Sequence, residues 1–172
     1  MTTEIQIRAF APLDAVPVRE LFIRVNRLLA PAHLAEAFEK YITRSLVEEI
    51  DRIADYYSSR DGGFWVAVDD DEIVGMFGLE SVGGEAMELR RMYVAPGARR
   101  RGIARNMLAF AEQECRRRKR LQLQLSTSEL QQDALALYRN AGYENAGEEI
   151  ADAATNKTLG GGIRRYHFIK RL

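Results

Sequence analysis

The sequence has 172 residues, a length that suits one domain with a single full core. Its 25 Lys and Arg residues balance 25 Asp and Glu residues, and this zero net charge argues against a dedicated nucleic-acid binder, which would normally be basic. The single cysteine excludes an intrachain disulfide, and no apolar run reaches the ~18 residues of a membrane span, so we expect a cytoplasmic protein without a membrane segment.

The first third of the chain predicts an edge strand followed by two helices. Residues 4–10 alternate apolar and polar side chains, as a strand does, and lack the unbroken apolar stretch of a signal peptide. Asp14 can cap a first helix that has Pro17 in its first turn and ends before Pro31. Apolar residues at spacings of three or four then predict one longer helix over residues 34–57.

Three strands are predicted in the middle of the chain, over residues 64–68, 72–80 and 86–94. An acidic run at residues 69–72 joins the first two, and it lacks the spacing and the glycine of a calcium loop. We therefore interpret it as the turn of a hairpin. We expect no metal site, since two histidines and one cysteine are also too few for structural zinc.

The second half of the chain alternates helices and strands. A helix over residues 103–118 is followed by a second one that Ser128 and Gln131 would start as a capping box and Gly142 would end. The strands predicted in this half cover residues 121–125, 143–150 and 163–169. The two strand–helix–strand passages favour parallel pairing near the centre of the sheet.

A basic turn between the third central strand and the following helix is the most informative segment. Arg99, Arg100 and Arg101 precede Gly102, and the predicted helix opens directly after them. The first N–H groups of a helix lack partners and its N-terminus is partly positive, so such a turn can bind phosphate. Gly102 has no side chain to hold a ligand away from the backbone. The turn matches neither the Walker phosphate loop nor the dinucleotide glycine motif, and taken alone it could equally be a solvated basic turn.

Two segments resemble the motifs of the GNAT superfamily of acyl-CoA-dependent N-acyltransferases. Residues 99–104, Arg-Arg-Arg-Gly-Ile-Ala, match that family's Arg/Gln-x-x-Gly-x-Gly/Ala loop, and residues 93–96 match the strand ending before it. Residues 134–143 resemble the second motif, an Ala-x-x-Leu-Tyr helix before a Gly-aromatic pair. The resemblance implies an α/β fold of the GNAT type, with helices flanking a mixed, twisted sheet of about seven strands. The implied order is β-α-α-β-β-β-α-β-α-β-β, in a single domain over residues 1–172.

The resemblance also implies where acetyl-CoA would bind. In the family, amides of the basic turn hold the CoA pyrophosphate, and the pantetheine arm pairs with the preceding strand, here at Met92 and Val94. Two neighbouring parallel strands, here residues 85–94 and 121–125, splay apart to admit it. Many members have an Asn where this chain has Gln131, so the chain departs from the family pattern at that point. The residues implied for the cofactor are Met92, Tyr93, Val94, Arg99, Arg100, Arg101, Gly102, Ile103, Ala104 and Arg105.

Three side chains are candidates for the chemistry of acyl transfer. The resemblance places Tyr138 near the thioester sulfur, where a protonated phenol can donate to the departing thiolate. A backbone N–H near Val94 could polarise the carbonyl. The attacking amine must be neutral, so we expect Glu88 to act as a base, with Glu80 as the alternative. Tyr138 could instead be a core residue, and Glu88 a solvent-facing one.

The predicted function is transfer of an acetyl group from acetyl-CoA to a primary amine of a small molecule or peptide. The acidic second helix and first hairpin favour a cationic acceptor, which the N-terminal helices and the loop over residues 151–162 would select. The alternatives are a non-catalytic acyl-CoA-binding regulatory module and, less favoured, an RNA-associated protein that uses the arginines of residues 99–105 and 116–120. We expect no nucleic-acid or membrane partner, and a homodimer is left open. Cys115 is expected to be a packed thiol.

Overall fold

The computed structural model describes residues 4–172, which form seven strands and five α-helices. The strands are β1 (Gln6–Ala9), β2 (Gly63–Asp69), β3 (Glu72–Ser81), β4 (Ala86–Val94), β5 (Gln122–Ser128), β6 (Glu144–Ala151) and β7 (Ile163–Arg171). The helices are α1 (Ala15–Leu29), α2 (Ala35–Glu48), α3 (Ile53–Ser58), α4 (Ile103–Arg117) and α5 (Gln132–Asn140). This succession confirms the predicted order of elements, except that the second predicted helix is divided into α2 and α3.

All the described strands belong to one mixed sheet in the order β1-β2-β3-β4-β5-β7-β6. Within it β4 and β5 run parallel, as predicted from the first strand–helix–strand passage, and the other neighbouring strands are antiparallel. The second passage does not give a parallel pair, and that prediction is wrong, because β7 lies between β5 and β6. β6 takes the edge because its residues are exposed up to Ala151, whereas β7 carries the buried Ile163 and Phe168.

Helices cover both faces of the sheet, and each face has its own apolar core. The face under α4 and α5 buries Met107 and Leu123 completely, and the face under α1 to α3 buries Phe22 and Tyr57. β2 and β3 lie between the two cores, so their buried residues follow one another without alternation. None of the described helices is long and apolar enough to span a bilayer.

The acidic run after β2 forms a tight hairpin turn, as predicted. Asp69 pairs with Glu72, and the two residues between them, Asp70 and Asp71, have φ angles of 46° and 67°. Two consecutive positive φ values define the type I′ turn that suits the twist of a hairpin. Among residues 4–172, no group of three or more His, Cys, Asp or Glu side chains is placed to hold a metal ion.

The helix predicted over residues 34–57 is interrupted, so that prediction is wrong in part. Glu49 leaves the helical conformation, with φ −140° and ψ −62°, and its side chain turns inward to 0% exposure. A short 3-10 turn over Ile50–Arg52 then leads into α3. The apolar spacing does not reveal the break, because Ile50 and Ile53 on either side of the turn are both buried.

Two predicted helix caps are also wrong, because other partners take the capping groups. The Asp14 carboxylate accepts hydrogen bonds from the Arg8 guanidinium at 2.7 and 2.9 Å and does not cap α1. Ser128 belongs to β5, which extends this far because it pairs with β7. The Gln131 side chain accepts from the Thr127 hydroxyl at 2.9 Å, so no capping box forms at α5.

Cys115 lies on the buried face of α4 and contributes to the core, which confirms that it is a packed thiol. Its exposed fraction is 0%, and burial raises the pKa of the thiol to about 11. The thiol is therefore protonated at neutral pH and is a poor nucleophile.

Candidate active site

β4 and β5 separate partway along their length and leave a cleft between them. Their parallel pairing ends at Glu88 and Gln124. Beyond this point β4 continues against β3 as far as Val94, and β5 continues against β7 as far as Ser128. The splayed pair of strands implied by the sequence resemblance is therefore present. The cleft is lined by Tyr41, Glu88, Leu89, Arg90, Arg91, Met92, Tyr93, Ser126, Thr127, Gln131, Tyr138, Lys157 and Arg165.

The β4 side of the cleft carries a β-bulge. Met76 pairs with Tyr93 and Gly78 pairs with Arg90, so β4 holds one more residue than β3 between these two pairs. Arg91 lies in the bulge with φ 56°. The left-handed region is unfavourable for a side chain as large as arginine, so other contacts must hold this conformation.

The backbone beyond the bulge presents an amide to the cleft. The N–H of Ala95 donates to the carbonyl of Val74 on β3 at 2.8 Å. Because successive amides of a strand point to opposite sides, the N–H of Val94 points away from β3 and toward the gap. This is the region in which the sequence predicted an amide that could polarise a carbonyl.

A buried ion-pair cluster holds the bulge in place. The Glu49 carboxylate accepts hydrogen bonds from Arg91 Nε at 2.9 Å and from the Tyr57 hydroxyl at 2.8 Å, and Arg90 Nη2 lies 2.9 Å away. Burial by itself would raise the pKa of Glu49, but Arg91 and Arg90 outweigh it and keep that pKa below its usual value. Sequence reasoning missed this cluster, although two adjacent arginines within the predicted strand over residues 86–94 were a signal of it.

Arg91 also connects β4 to the elements around the cleft. Its guanidinium donates to the Tyr41 hydroxyl on α2 at 2.6 Å and to the carbonyl of Asn156 in the segment between β6 and β7. It also lies over the ring of Phe22 on α1, 5.2 Å from the ring centroid. The conformation of the bulge is thus linked to α1, to α2 and to the segment between β6 and β7.

The two predicted carboxylates meet in the cleft, but each already has a cationic partner. Glu80 and Glu88 lie directly opposite one another on β3 and β4. Lys157 Nζ lies between them, 3.0 Å from Glu80 Oε1 and 3.3 Å from Glu88 Oε2. Burial alone would lower the pKa of Lys157, but Glu88 and Glu80 outweigh it and raise that pKa. Lys157 comes from a polar loop without a recognisable motif, so no sequence pattern indicates its place in the site.

Tyr138 reaches the cleft from α5. Its side chain is only 6% exposed, and its ring packs against Tyr143 and Phe168 with centroids 6.0 Å away. No protein group within residues 4–172 forms a hydrogen bond with its hydroxyl. Burial first, and then the neighbouring Tyr93, raise the pKa of Tyr138, so its phenol remains protonated at neutral pH. Tyr138 is therefore both a packed residue and a protonated donor at the cleft.

The basic turn presents its amides to solvent at the start of α4. The first bond of the helix joins the Asn106 N–H to the Gly102 carbonyl at 3.0 Å, so the three preceding amides have no helical partner. In the described part of the chain, no protein acceptor takes the amides of residues 99–105 either. Gly102 has φ 75°, and a β-carbon added there would meet only open space. An anion can therefore reach the backbone at this point.

The arginine side chains of the turn do not all face such an anion. Arg101 Nη1 donates to Asp69 Oδ2 at 2.7 Å, which directs this side chain toward the β2–β3 hairpin. Arg99, Arg100 and Arg105 are exposed. The predicted turn residues thus lie together at the N-terminus of α4. At Arg101 the backbone amide is available to a ligand, whereas the guanidinium is bound to Asp69.

Comparisons with known proteins agree with this geometry. The model of the acetyltransferase (GNAT) family matches residues 28–143. N-acetyltransferase 8 of Rattus norvegicus is 31% identical over 126 residues, which are 70% of this chain and 57% of that protein. The chain spans about half the length of the curated relatives it matches, from 49% to 59%.

Two solved structures share the fold over the full length of the chain. A GNAT-family acetyltransferase from Staphylococcus aureus Mu50 has a TM-score of 0.77 at 18% identity, over 98% of this chain and 99% of that one. The PaiA N-acetyltransferase of Thermoplasma acidophilum, in complex with coenzyme A, has a TM-score of 0.74 at 20% identity, with the same coverage. At such identities these likenesses establish the fold, whereas the family match covers the cleft and the turn. The chain therefore belongs to the GNAT family of acetyltransferases.

Proposed function

We propose that this protein transfers the acetyl group of acetyl-CoA to a primary amine by direct attack of the amine on the thioester. The observation that carries the proposal is the cleft between β4 and β5, which Tyr138 lines. β4 leads in the chain to the turn before α4, whose amides have no protein acceptor in the described residues. The rat relative is named an N-acetyltransferase, and the Thermoplasma structure contains coenzyme A. Both names are consistent with the proposed donor.

The donor would be held mainly by backbone groups. The amides of residues 99–105 lack protein acceptors in the described chain, and Gly102 leaves them accessible, so they fit a diphosphate at a helix N-terminus. The backbone of Met92, Tyr93 and Val94 borders the cleft and can pair with the amide groups of a pantetheine arm. When bound, acetyl-CoA supplies the activated acetyl group, and the protein supplies orientation and proton transfer.

Tyr138 is the proposed general acid. Its hydroxyl has no hydrogen-bonding partner within residues 4–172, and its phenol stays protonated across the physiological pH range because its pKa is raised by burial. A protonated donor in a cleft of limited solvent access can stabilise a departing thiolate and then give it a proton, so that CoA leaves as a thiol.

Glu88 is the proposed base, and Glu80 remains the alternative. Glu88 is 20% exposed and lines the cleft, whereas Glu80 is 5% exposed and lies 3.4 Å from Arg90. The more accessible carboxylate is better placed to take a proton from an incoming ammonium and pass it to water. The pair of carboxylates also supports a cationic acceptor, such as a primary amine of a small molecule or peptide.

The alternative functions receive less support. A regulatory module that only binds acyl-CoA would not need a protonated tyrosine in the cleft. An RNA-binding role would use both arginine clusters, yet in the second one Arg118 and Arg117 pair with Glu114, and Arg120 pairs with Asp61. We therefore propose that the protein has no nucleic-acid partner.

Two broader features belong to the proposal. We propose a cytoplasmic location, with which the single cysteine of the sequence is consistent, because it cannot form an intrachain disulfide. A homodimer is supported by exposed apolar side chains, among them Leu13 and Val16, which are 94% and 63% exposed. Light scattering on the purified chain tests the oligomeric state.

The enzyme assignment is tested by ligand binding and thiol release together. Acetyl-CoA at a hundredfold its dissociation constant should add about 2.7 kcal/mol to the free energy of unfolding. Thiol release is then followed across a library of primary amines, aminoacyl compounds and peptides. Absence of any stabilisation would contradict acetyl-CoA binding, and stabilisation without thiol release would favour the regulatory module.

A further inference from the structure

We propose that Lys157 is an acetylation site of this protein, and that the protein modifies it in its own cleft with acetyl-CoA as the donor. The inference rests on the proposed function, because it requires the same cleft to hold the acetyl donor.

The position of Lys157 Nζ is that of an acceptor nitrogen. It lies 3.3 Å from Glu88 Oε2, and its side chain lines the cleft together with Tyr138. An external amine that uses Glu88 as its base must place its nitrogen within hydrogen-bond distance of that carboxylate. Lys157 already occupies such a position.

The segment that carries Lys157 is tied to the protein on its N-terminal side. The carbonyl of Asn156 accepts from Arg91, and the carbonyl of Ala154 accepts from Arg44. These contacts keep the lysine at the cleft, so its reaction would have the advantage of an intramolecular step over one with an amine in dilute solution.

The chemistry needs only the groups already described and the acetyl donor. The Lys157 ammonium gives one proton to the Glu88 carboxylate, and the neutral nitrogen attacks the thioester carbonyl carbon. A carbon–nitrogen bond forms, the carbon–sulfur bond breaks, and its electron pair stays on sulfur. The sulfur takes a proton from the Tyr138 hydroxyl, which is restored from water, and the nitrogen loses its second proton. The products are N-acetyl-lysine, the free thiol of CoA and one proton.

The modification would change the cleft. Acetylation removes the positive charge of the lysine, and Glu80 and Glu88 then face one another, with Arg90 and Arg60 as cations at 3.4 and 3.5 Å from Glu80. The acetylated lysine can no longer form its ion pairs with Glu80 and Glu88, so its segment should leave the carboxylates and open them to external amines.

The experiment exploits the four lysines of the chain, Lys40, Lys119, Lys157 and Lys170. The full-length protein is incubated with acetyl-CoA, and the acetylated positions are mapped over time by peptide mass spectrometry. A parallel sample is treated with acetic anhydride, which should label the exposed Lys40 first because its side chain is 77% exposed and its ion pair lies at the surface. With acetyl-CoA we expect the reverse order, with Lys157 first. The same order with both reagents would overturn the proposal.

The reaction should also depend on pH and on the cleft. The two facing carboxylates raise the pKa of Lys157, so its neutral fraction, and with it the rate, should rise roughly tenfold per pH unit between pH 7 and 9. Gly102→Val, which should weaken donor binding, should slow labelling of Lys157 but leave the background at Lys40 unchanged. A first-order rate constant that is independent of protein concentration would support reaction within one chain, and an apparent first-order rate constant that rises with protein concentration would contradict it.

Two results separate this proposal from the enzyme assignment. Thiol release with external amines in the absence of any Lys157 acetylation would overturn the proposal and leave the proposed function standing. Absence of both reactions, with no stabilisation by acetyl-CoA, would overturn the proposed function itself. Lys40→Arg is the matched control, and it should leave the labelling of Lys157 unchanged.

Discussion

Arg91 and Glu49 form a bidentate ion pair inside the protein, with nitrogen–oxygen distances of 2.9 and 3.2 Å and side chains that are 3% and 0% exposed. Arg91 lies in the bulge of β4, and Glu49 lies at the break between α2 and the following 3-10 turn. One pair therefore fixes two irregular points of the backbone. Each irregularity is unfavourable alone, and the pair explains why both persist.

Removal of the Glu49 carboxylate should strongly destabilise the fold. Glu49→Ala leaves the guanidinium groups of Arg91 and Arg90 buried without their partner, and a broken buried pair costs about 3–5 kcal/mol. Urea unfolding measures the change in the free energy of unfolding. Glu48→Ala, at the exposed neighbouring position, is the matched control and should change stability by at most about 0.5 kcal/mol. Equal effects of the two variants would show that the ion pair is not an important source of stability.

Acid should weaken the fold through the same carboxylate. The pKa of Glu49 is lowered in the folded protein, so in acid the unfolded chain binds more protons than the folded one. The stabilisation is complete above the unfolded pKa of about 4.5 and is lost as the pH falls through the lower folded pKa. Asp14 acts in the same direction, since its hydrogen bonds with Arg8 lower its pKa. Urea titrations from pH 6 to 3 should show a shallower fall in stability for Glu49→Gln, and an unchanged slope would exclude Glu49 as a source of acid sensitivity.

Gly102→Val should weaken CoA binding more than it weakens the fold. Two effects are expected, because the left-handed conformation at φ 75° disfavours any β-carbon by about 1–2 kcal/mol, and the side chain also occupies the space in front of the amides. Calorimetric titration with coenzyme A should show at least a tenfold loss of affinity. Gly97→Val is the control, because Gly97 is an exposed turn residue without a positive φ. An affinity for CoA that is the same in both variants would remove the turn from the donor site.

Tyr138→Phe should lower turnover while leaving donor binding nearly intact. Loss of a general acid typically reduces the rate by roughly 10²–10⁴-fold. Tyr143→Phe provides a matched control in the same core, because its hydroxyl donates to Glu112 at 3.0 Å and lies outside the cleft lining. That control should lose stability and keep its turnover. Unchanged turnover in Tyr138→Phe would mean that the thiolate departs without help from this tyrosine.

The contrast between Gly102 and Glu49 shows what the sequence can predict. The turn at Gly102 is local, since its strand, its glycine and its helix follow one another in the chain, and the predicted positions of β4 and α4 agree with the structure. The role of Glu49 depends on Arg91, which lies 42 residues away, and apolar periodicity carries no information about such a pair. The strand order beyond β5 is non-local in the same way, because it depends on which strand of the β6–β7 hairpin is more apolar.

The cleft itself was only partly predictable. Tyr138 and Glu88 line the cleft, and a motif and a strand position indicate them in the sequence. Lys157 also lines the cleft, but no sequence pattern indicates it, because it lies in a polar loop whose course is set by contacts with Arg91 and Arg44. Because Lys157 forms an ion pair with Glu88, the predicted base is not a free carboxylate in this structure.

Glu88→Gln is the sharpest test of the proposed base. Near neutral pH, kcat/KM for a primary amine should fall by about 10²-fold or more, because the ammonium loses its proton acceptor. The difference in kcat/KM between Glu88→Gln and the unmodified protein should shrink as the pH rises, because the amine then loses its proton without the Glu88 carboxylate. Glu80→Gln is the matched variant: it removes the opposite carboxylate and disturbs Lys157 in the same way, so a loss common to both reports the disturbed lysine. A larger loss in Glu80→Gln would assign the base to Glu80, and full activity of Glu88→Gln at neutral pH would remove Glu88 from the mechanism.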